Sequence, residues 1–481
     1  MAYSSLSDFL QVLSREGELK RVSYPVKAEL EITEIADRVM KSGGPALLFE
    51  NVVGKEIPVL INAFGSSKRM ALALGVSDVE EIAREVERLV KIRPPGSWRE
   101  KLGLLARLVQ LAGVPPRVVA EGACQEVVHR DPDLGLLPVL TCWPEDGGPF
   151  ITLPMVFSRD PRGGTRNVGL YRMQVYDSRT TGMHWHPHKV GARHYRRRKE
   201  EAGRLELAAC IGGDPALVYA ATAPLPDQID EVLFTGFLRR KGVELVKALT
   251  VDVEVPADAD IVIEGYVDPA EPLRREGPFG DHTGFYSLAD DYPVFHVTCI
   301  THRRNPVYLT TIVGRPPMED AFLGKATERI FLPLLRLTFP EIVDMNFPVE
   351  GVFHNLAIVS IKKEYPAHAR KIMHALWGMG QMMFTKTLVI VDHDVNVHDP
   401  GEVTWIVGNH IDPRRDVVFV DGPVDVLDHA APITGYGSKM GIDATRKWPS
   451  EGFGREWPNP IVMDVETKRY IDSIWEKLGI S

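Results

Sequence analysis

Ile261-Val-Ile-Glu-Gly-Tyr266 decides the fold: β-branched and aromatic residues crowd a short run that acidic and Pro-containing turns bound on both sides. Such a run is too short for a helix and reads as a strand. The same composition recurs at Val168–Val175, Leu205–Ile211, Leu245–Val253, Val294–Thr301 and Val307–Ile312. Helical patterns around 189–202 and 228–240 interrupt the series. The spacing predicts an antiparallel or barrel-like β domain from about residue 120 to 312.

Outward from this centre the pattern changes on both sides. Towards the N-terminus, Leu6, Phe9, Leu10 and Leu13 recur at helical spacing behind Ser5, with Gly17 placed to end the helix. Ala46–Phe49 and Val59–Ile61 read as buried strands. Ser77-Asp-Val-Glu80 reads as a capping box for a helix carrying Ile82, Val86, Leu89 and Val90. Arg93-Pro-Pro-Gly96, a helix from Trp98 to about Ala112 and Pro115-Pro116 form a linker.

Beyond Gly314-Arg-Pro-Pro317 the prediction is helix 319–337, strand 355–362, helix 366–380, strand 386–392, helix 400–410 and strand 416–420, an alternation that argues a layered α/β domain. An amphipathic helix, Thr467 to Leu478, closes the chain. The expected class is a multidomain α/β (α+β) protein: an α/β domain over 1–115, a β-barrel-like domain over 116–317, and an α/β domain over 318–481. The terminal helix favours a homo-oligomer, a dimer or hexamer, through the last of these.

Composition narrows the function. The chain of 481 residues is 44% hydrophobic and 25% charged, which is globular, and long enough for more than one core. Its net charge of −9 argues against nucleic acid as a partner. The basic run Arg193, Arg196, Arg197, Arg198, Lys199 is followed at once by Glu200 and Glu201 and reads as a solvated helix face. Cys124, Cys142, Cys210 and Cys299 lie too far apart for a C-x-x-C site and read as reduced thiols of a cytoplasmic protein. Neither a signal peptide nor a membrane span is evident; peripheral contact with a membrane stays open.

The chemistry-bearing residues gather in five segments: Asn167-Val-Gly-Leu-Tyr-Arg172, His184-Trp-His-Pro-His188, Arg239-Arg-Lys-Gly-Val-Glu244, Glu276-Gly-Pro-Phe-Gly-Asp281-His-Thr-Gly284 and Gly435-Tyr-Gly-Ser-Lys-Met-Gly-Ile-Asp443. Arg172 and Glu244 fall in strand-like runs, where a charge demands a partner or a metal. A structural Arg–Glu pair is the bland reading. His184, His186 and His188 alternate, so an extended segment would aim them to one side, which invites a zinc site, although Pro187 makes the segment irregular. Gly277, Gly280 and Gly284 would let backbone approach a ligand, or simply form an exposed turn. The last segment resembles a phosphate-gripping loop without Walker spacing. Asn167 and Arg172 are five apart, so an ideal strand would separate them; a bulge near Gly169 would reconcile them.

Taken together, the stretches Glu276–Tyr286, Gly314–Pro317 and Gly437–Pro449 resemble the UbiD family of decarboxylases, and the likeness runs from about Leu6 to Leu478. It looks closest to quinone-pathway members, with Met318–Leu335 and Met373–Phe384 suggesting the menaquinone branch. The resemblance implies reversible non-oxidative decarboxylation of an aromatic acid, expected to be phenolic and prenylated, through a prenylated FMN adduct, with a flavin prenyltransferase as cofactor supplier. It implies that Asn167, His188 and Glu244 hold Mn²⁺ or another divalent metal, an oxygen-and-imidazole set suited to such an ion. His186 is the alternative to His188. It further implies K⁺ at carbonyls around Ala220 to Ala223, and flavin contacts from Leu170, Tyr171, Arg172, His184, Trp185, His186, Lys189 and Val190, with Lys439 on the phosphate.

Arg172, Glu276 and Asp281 would be the acid–base set, in which one arginine between two carboxylates separates their pKa values, and Asp281 would return the proton to carbon. An Asp here, shorter than Glu, leaves room for a phenolic ring. The run Met379–Phe384 could line an isoprenoid channel or pack a core. Catabolism of a small phenolic or heteroaromatic acid is the alternative role, and a non-catalytic flavin- or metal-binding assembly partner the alternative class. A hydrolase lacks its motifs here.

Overall fold

The computed structural model describes residues 3–90, 114–225 and 229–480; the linker helix expected over 98–112 lies outside them. At the N-terminus, helices Leu6–Arg15, Glu31–Lys41, Ser67–Ala73 and Glu80–Val90 pack on a sheet of Leu19–Val22, Ala46–Phe49 and Val59–Ile61. The first helix buries Leu6, Phe9, Leu10 and Leu13, and Ser5 Oγ caps it by accepting from the Asp8 N–H at 3.2 Å. The capping box is shifted by one residue. The Ser77 N–H donates to Glu81 at 3.2 Å and its hydroxyl bonds the same carboxylate, while Glu80 instead pairs with Arg329.

The central sheet runs antiparallel in the order Thr180–Gly182, Val294–His302, Ile261–Val267, Leu205–Ile211, Met155–Arg159, Arg166–Leu170, with Val127–His129 also on the long strand. Beyond its last strand the chain comes back beside the first, where an isolated bridge joins Val175 to Thr181. Leu205–Ile211 and Ile261–Val267 are almost wholly buried, as their composition demands. Three expectations were off. Val168–Val175 is broken in two, Leu245–Val253 is strand only as far as Lys247, and Tyr308–Leu309 leaves the central domain to pair in parallel with Val59–Ile61 of the N-terminal sheet.

The C-terminal sheet has the order Ile342–Asn346, Leu356–Ile361, Thr387–Asp392, Tyr436–Asp443, Val417–Pro423, with three parallel strands inside two antiparallel edges. Helices Glu319–Thr338 and His368–Trp377 cover one apolar face and Pro400–His410 the other. Tyr436–Asp443 is therefore a central strand, not a phosphate loop. Its alternating burial over Gly437–Asp443 is the period-two signal that its glycines obscured in the sequence. The final helix Val465–Ile474 buries no residue in this chain. Among the described residues no helix is long and apolar enough to cross a membrane.

Candidate active site

Strand Arg166–Leu170 ends before Tyr171, and Met173–Gln174 goes on to pair with Phe150–Ile151, so the backbone turns at Tyr171-Arg172. The expected bulge at Gly169 is absent, since Gly169 pairs with Val156 in unbroken register. The break two residues later is what brings Asn167 and Arg172 to separate parts of the site. Gly169 has a different use: a Cβ there would stand 2.5 Å from Cζ of Tyr171, so its absence lets that ring fold back over the strand.

Arg172 is the hub. Its Nε donates to Glu276 Oε1 at 3.1 Å, Nη1 to Asp281 Oδ2, and Nη2 to Ser287 Oγ at 3.2 Å. The guanidinium lies 4.6 Å from the Phe279 ring centroid. No side chain of this set is more than 10% exposed, so each charge depends on the others. Burial alone would raise the Asp281 carboxyl, but a hydrogen bond from His282 and the Arg172 charge hold it well below the usual carboxylate range. Asp281 is thus ionised. Glu276 Oε2 is buried without a hydrogen-bond partner.

The three alternating histidines do share one side, although the segment is not a strand. Nδ1 of His184 is 2.6 Å from Glu276 Oε1, Nε2 of His184 is 2.7 Å from Nε2 of His186, and the His186 and His188 rings are 5.8 Å apart. Burial lowers His184 and His186 below the ordinary imidazole value, so both are neutral. A carboxylate only accepts; Nδ1 of His184 therefore carries its proton, and His186 donates to the other nitrogen. Trp185 sits edge-on to Tyr171 at 6.3 Å, and its indole N–H is buried without a partner.

Asn167 faces a cavity walled by Asp160, Thr165, Arg166, Val190, Arg193, His194, Leu225, Ile229 and Glu231. The acids on this cavity are Glu231 and Asp160, the latter paired with Arg197; Glu244 is not among them. Glu244 opens the middle strand of a small three-stranded sheet, between Arg117–Val118 and Glu254–Pro256, with its side chain 51% exposed and Arg117 at 3.8 Å. Glu231 opens the helix Glu231–Arg239, accepts from the Val168 N–H at 3.0 Å, and is pushed up by burial to about 7. In the sequence, an acid in a first helical turn already has a sufficient explanation in the helix dipole, which hid it. His188 stands outside this cavity, its ring 4.7 Å from Phe384, whereas His194, 2% exposed, lines it. The residues fit a cofactor with a polar end: Asn167 Nδ2, Trp185 Nε1 and Glu276 Oε2 are buried polar atoms that lack partners. An amide, a carboxylate and a nearby imidazole are the donor set of a hard or borderline divalent ion.

Lys189 caps the helix Val190–Glu200, its ammonium lowered by burial and opposed by Asp425. Lys439 is not at this cavity. It lies on the central C-terminal strand with its ammonium on the Met383 carbonyl, and burial lowers it to about 8. The glycines of the acidic segment serve the chain itself: a Cβ at Gly280 would overlap the Trp143 ring, and one at Gly284 would meet Arg315 at 3.0 Å.

This geometry coincides with a wide likeness. Models of the 3-octaprenyl-4-hydroxybenzoate carboxy-lyase match the chain over 10–89 for the N-terminal domain, 117–316 for the Rift-related domain and 321–444 for the C-terminal domain. The chain belongs to the UbiD family of carboxy-lyases. An uncharacterized protein of Aquifex aeolicus is 53% identical over 481 residues, 99% of each chain. Among solved structures, the vanillic acid decarboxylase of Sedimentibacter hydroxybenzoicus in closed form is 29% identical with TM-score 0.88, covering 99% of both chains. Its open form gives 0.79 at 28% identity. The UbiD-class enzyme HmfF from Pelotomaculum thermopropionicum, in complex with FMN, is 33% identical with TM-score 0.80, covering 94% of this chain and 97% of that one.

Proposed function

We propose that this chain decarboxylates a phenolic aromatic acid, reversibly and without net oxidation, as a step of ubiquinone or menaquinone biosynthesis. The carrying observation is the buried fork of Arg172 between Glu276 and Asp281. When bound, prenylated FMN supplies an electron sink for the ring carbon that loses CO₂. Asn167 and Glu231, with K⁺ at the 220–223 turn that leads to Leu225, would hold Mn²⁺ and the cofactor phosphate. The imidazole would come from His188, two residues before Val190 of the cavity wall, or from His194 already on it. Leu170, Tyr171, His184, Trp185, His186 and Lys189 would frame the flavin.

Arg172 orients the substrate carboxylate and keeps Asp281 in place, and the Asp281 side chain carries a proton to the ring carbon. His184, fixed by Glu276, excludes water from that side. Phe384 against His188 offers an apolar surface for a prenyl tail. The likeness to a vanillic acid decarboxylase favours a second reading, a small phenolic acid in catabolism. The exposed apolar residues Ile461, Val462, Met463, Val465 and Tyr470 around the last helix support a homo-oligomer. Turnover of protein loaded with prenylated FMN, tested on 4-hydroxybenzoate, vanillate and 1,4-dihydroxy-2-naphthoate with and without prenyl tails, separates the two roles. CO₂ from none of these acids would contradict both.

A further inference from the structure

Asp281 has a second partner that the acid–base set leaves unused. Nδ1 of His282 is 2.8 Å from Asp281 Oδ1, on the carboxylate oxygen opposite the one held by Arg172, and the His282 backbone N–H reaches the same oxygen at 2.8 Å. The ring stacks on Phe353 at 5.2 Å and 29°, and Nε2 is buried without a hydrogen-bond partner. Its side chain is 17% exposed. The groups facing it come from every neighbouring element: Asp281 beside it, Asp320 in the first turn of Glu319–Thr338, His354 with its ring at 5.8 Å, and Asp425 in the loop after Val417–Pro423. Three of these four are acids.

We infer that His282 is a positioning residue that holds, next to Asp281, the proton destined for the substrate carbon. This rests on the decarboxylase reading. Loss of CO₂ from a carboxylate consumes one proton per turnover, and it must be present while the site is closed to water. An ionised Asp281 cannot store it. The imidazolium passes Nδ1–H to Oδ1 as Asp281 gives a proton to carbon, which leaves His282 neutral with hydrogen on Nε2 and Asp281 again a carboxylate. One proton from water restores the imidazolium once product has left. The electrostatics agree in direction: burial alone would lower His282, but the hydrogen bond and charge of Asp281, backed by Asp320 and Asp425, hold it above the ordinary imidazole value.

Two measurements test this. In the ligand-free chain with ¹³C-labelled histidine, the ring signal missing from His282→Asn is expected to titrate above the ordinary value of about 6.5, and to fall below it in Asp281→Asn. A wild-type His282 that titrates at or below 6.5 overturns the inference, whatever the substrate. In flavin-loaded enzyme, His282→Asn keeps a donor to Asp281 but stores no proton. Its turnover should fall by about 10–100-fold at unchanged flavin content, and the wild-type decline on the alkaline side should disappear. If Asp281→Asn is inactive while His282→Asn keeps the wild-type rate and pH profile, the inference falls and the decarboxylase reading stands. If loaded wild type turns over none of the acids, both fall.

Discussion

The Val168 N–H donates to Glu231 Oε2 at 3.0 Å and so sets that carboxylate beside Asn167 on the wall of one cavity. Strand and helix meet here across more than sixty residues of sequence. Glu231→Gln should therefore cost the purified protein most of its metal and flavin, read by elemental analysis and by flavin absorbance. Glu244→Gln, whose side chain is half exposed, should keep both and shift stability by less than about 0.5 kcal/mol. The reverse pattern would restore Glu244 as the ligand.

Arg172 neutralises two buried carboxylates at once. Replacing it with Met leaves them facing each other, and urea unfolding should show a loss of about 3–5 kcal/mol. Asp281→Asn keeps shape and hydrogen-bonding capacity. Its turnover should fall by about 10²–10⁴-fold with flavin content unchanged; a variant as active as wild type would remove Asp281 from the chemistry.

Gly182 holds the space that Glu276 occupies. A Cβ there would be 2.7 Å from Glu276 Oε2 and 2.9 Å from the Tyr176 hydroxyl. Gly182→Ala should displace the carboxylate, loosen the Glu276–His184 contact and lower turnover while the metal stays bound. The destabilisation expected from such overpacking is about 1–3 kcal/mol, read from the denaturation midpoint.

Much of this was legible in the sequence because period and composition agreed. Leu205–Ile211 is a strand over the same residues in the sequence and the structure, and the predicted helix 319–337 differs by one residue at its end. Charge in a strand-like stretch singled out Arg172, which does have buried partners, and Glu244, which is exposed; Glu276 and Asp281 came from the family resemblance. The failures have physical causes too. Glycines masked the Tyr436–Asp443 strand, a turn at Tyr171-Arg172 looked like strand, and Glu231 resembled any acid at a helix start. Lys439 beside Ser438 suggested a phosphate loop because spacing reports neighbours along the chain and not which face of a sheet they occupy.

Arg329 ties the first and last domains together, bonding Glu80 on one side and Asp344 at 2.7 Å on the other. Burial would raise Asp344, but hydrogen bonds from His398 and Arg329 outweigh it and hold the carboxyl below its usual range. A depressed folded pKa contributes stability above the unfolded value of about 3.9, and that stability is lost as pH falls through the folded value. Asp344→Asn should thus narrow the stability difference between pH 7 and pH 3, measured by thermal unfolding. An unaltered acid dependence would show that the pair contributes nothing.

The central claim, that these residues form a prenylated-flavin decarboxylase site, is tested most directly on the bound cofactor. The protein would be purified without oxygen from cells co-expressing a flavin prenyltransferase, its small molecules released for mass spectrometry, and its metal analysed in the same sample. Prenylated FMN near one per chain together with manganese is the expected result. A protein free of flavin, or one carrying zinc on the His184–His188 segment instead, would contradict the account.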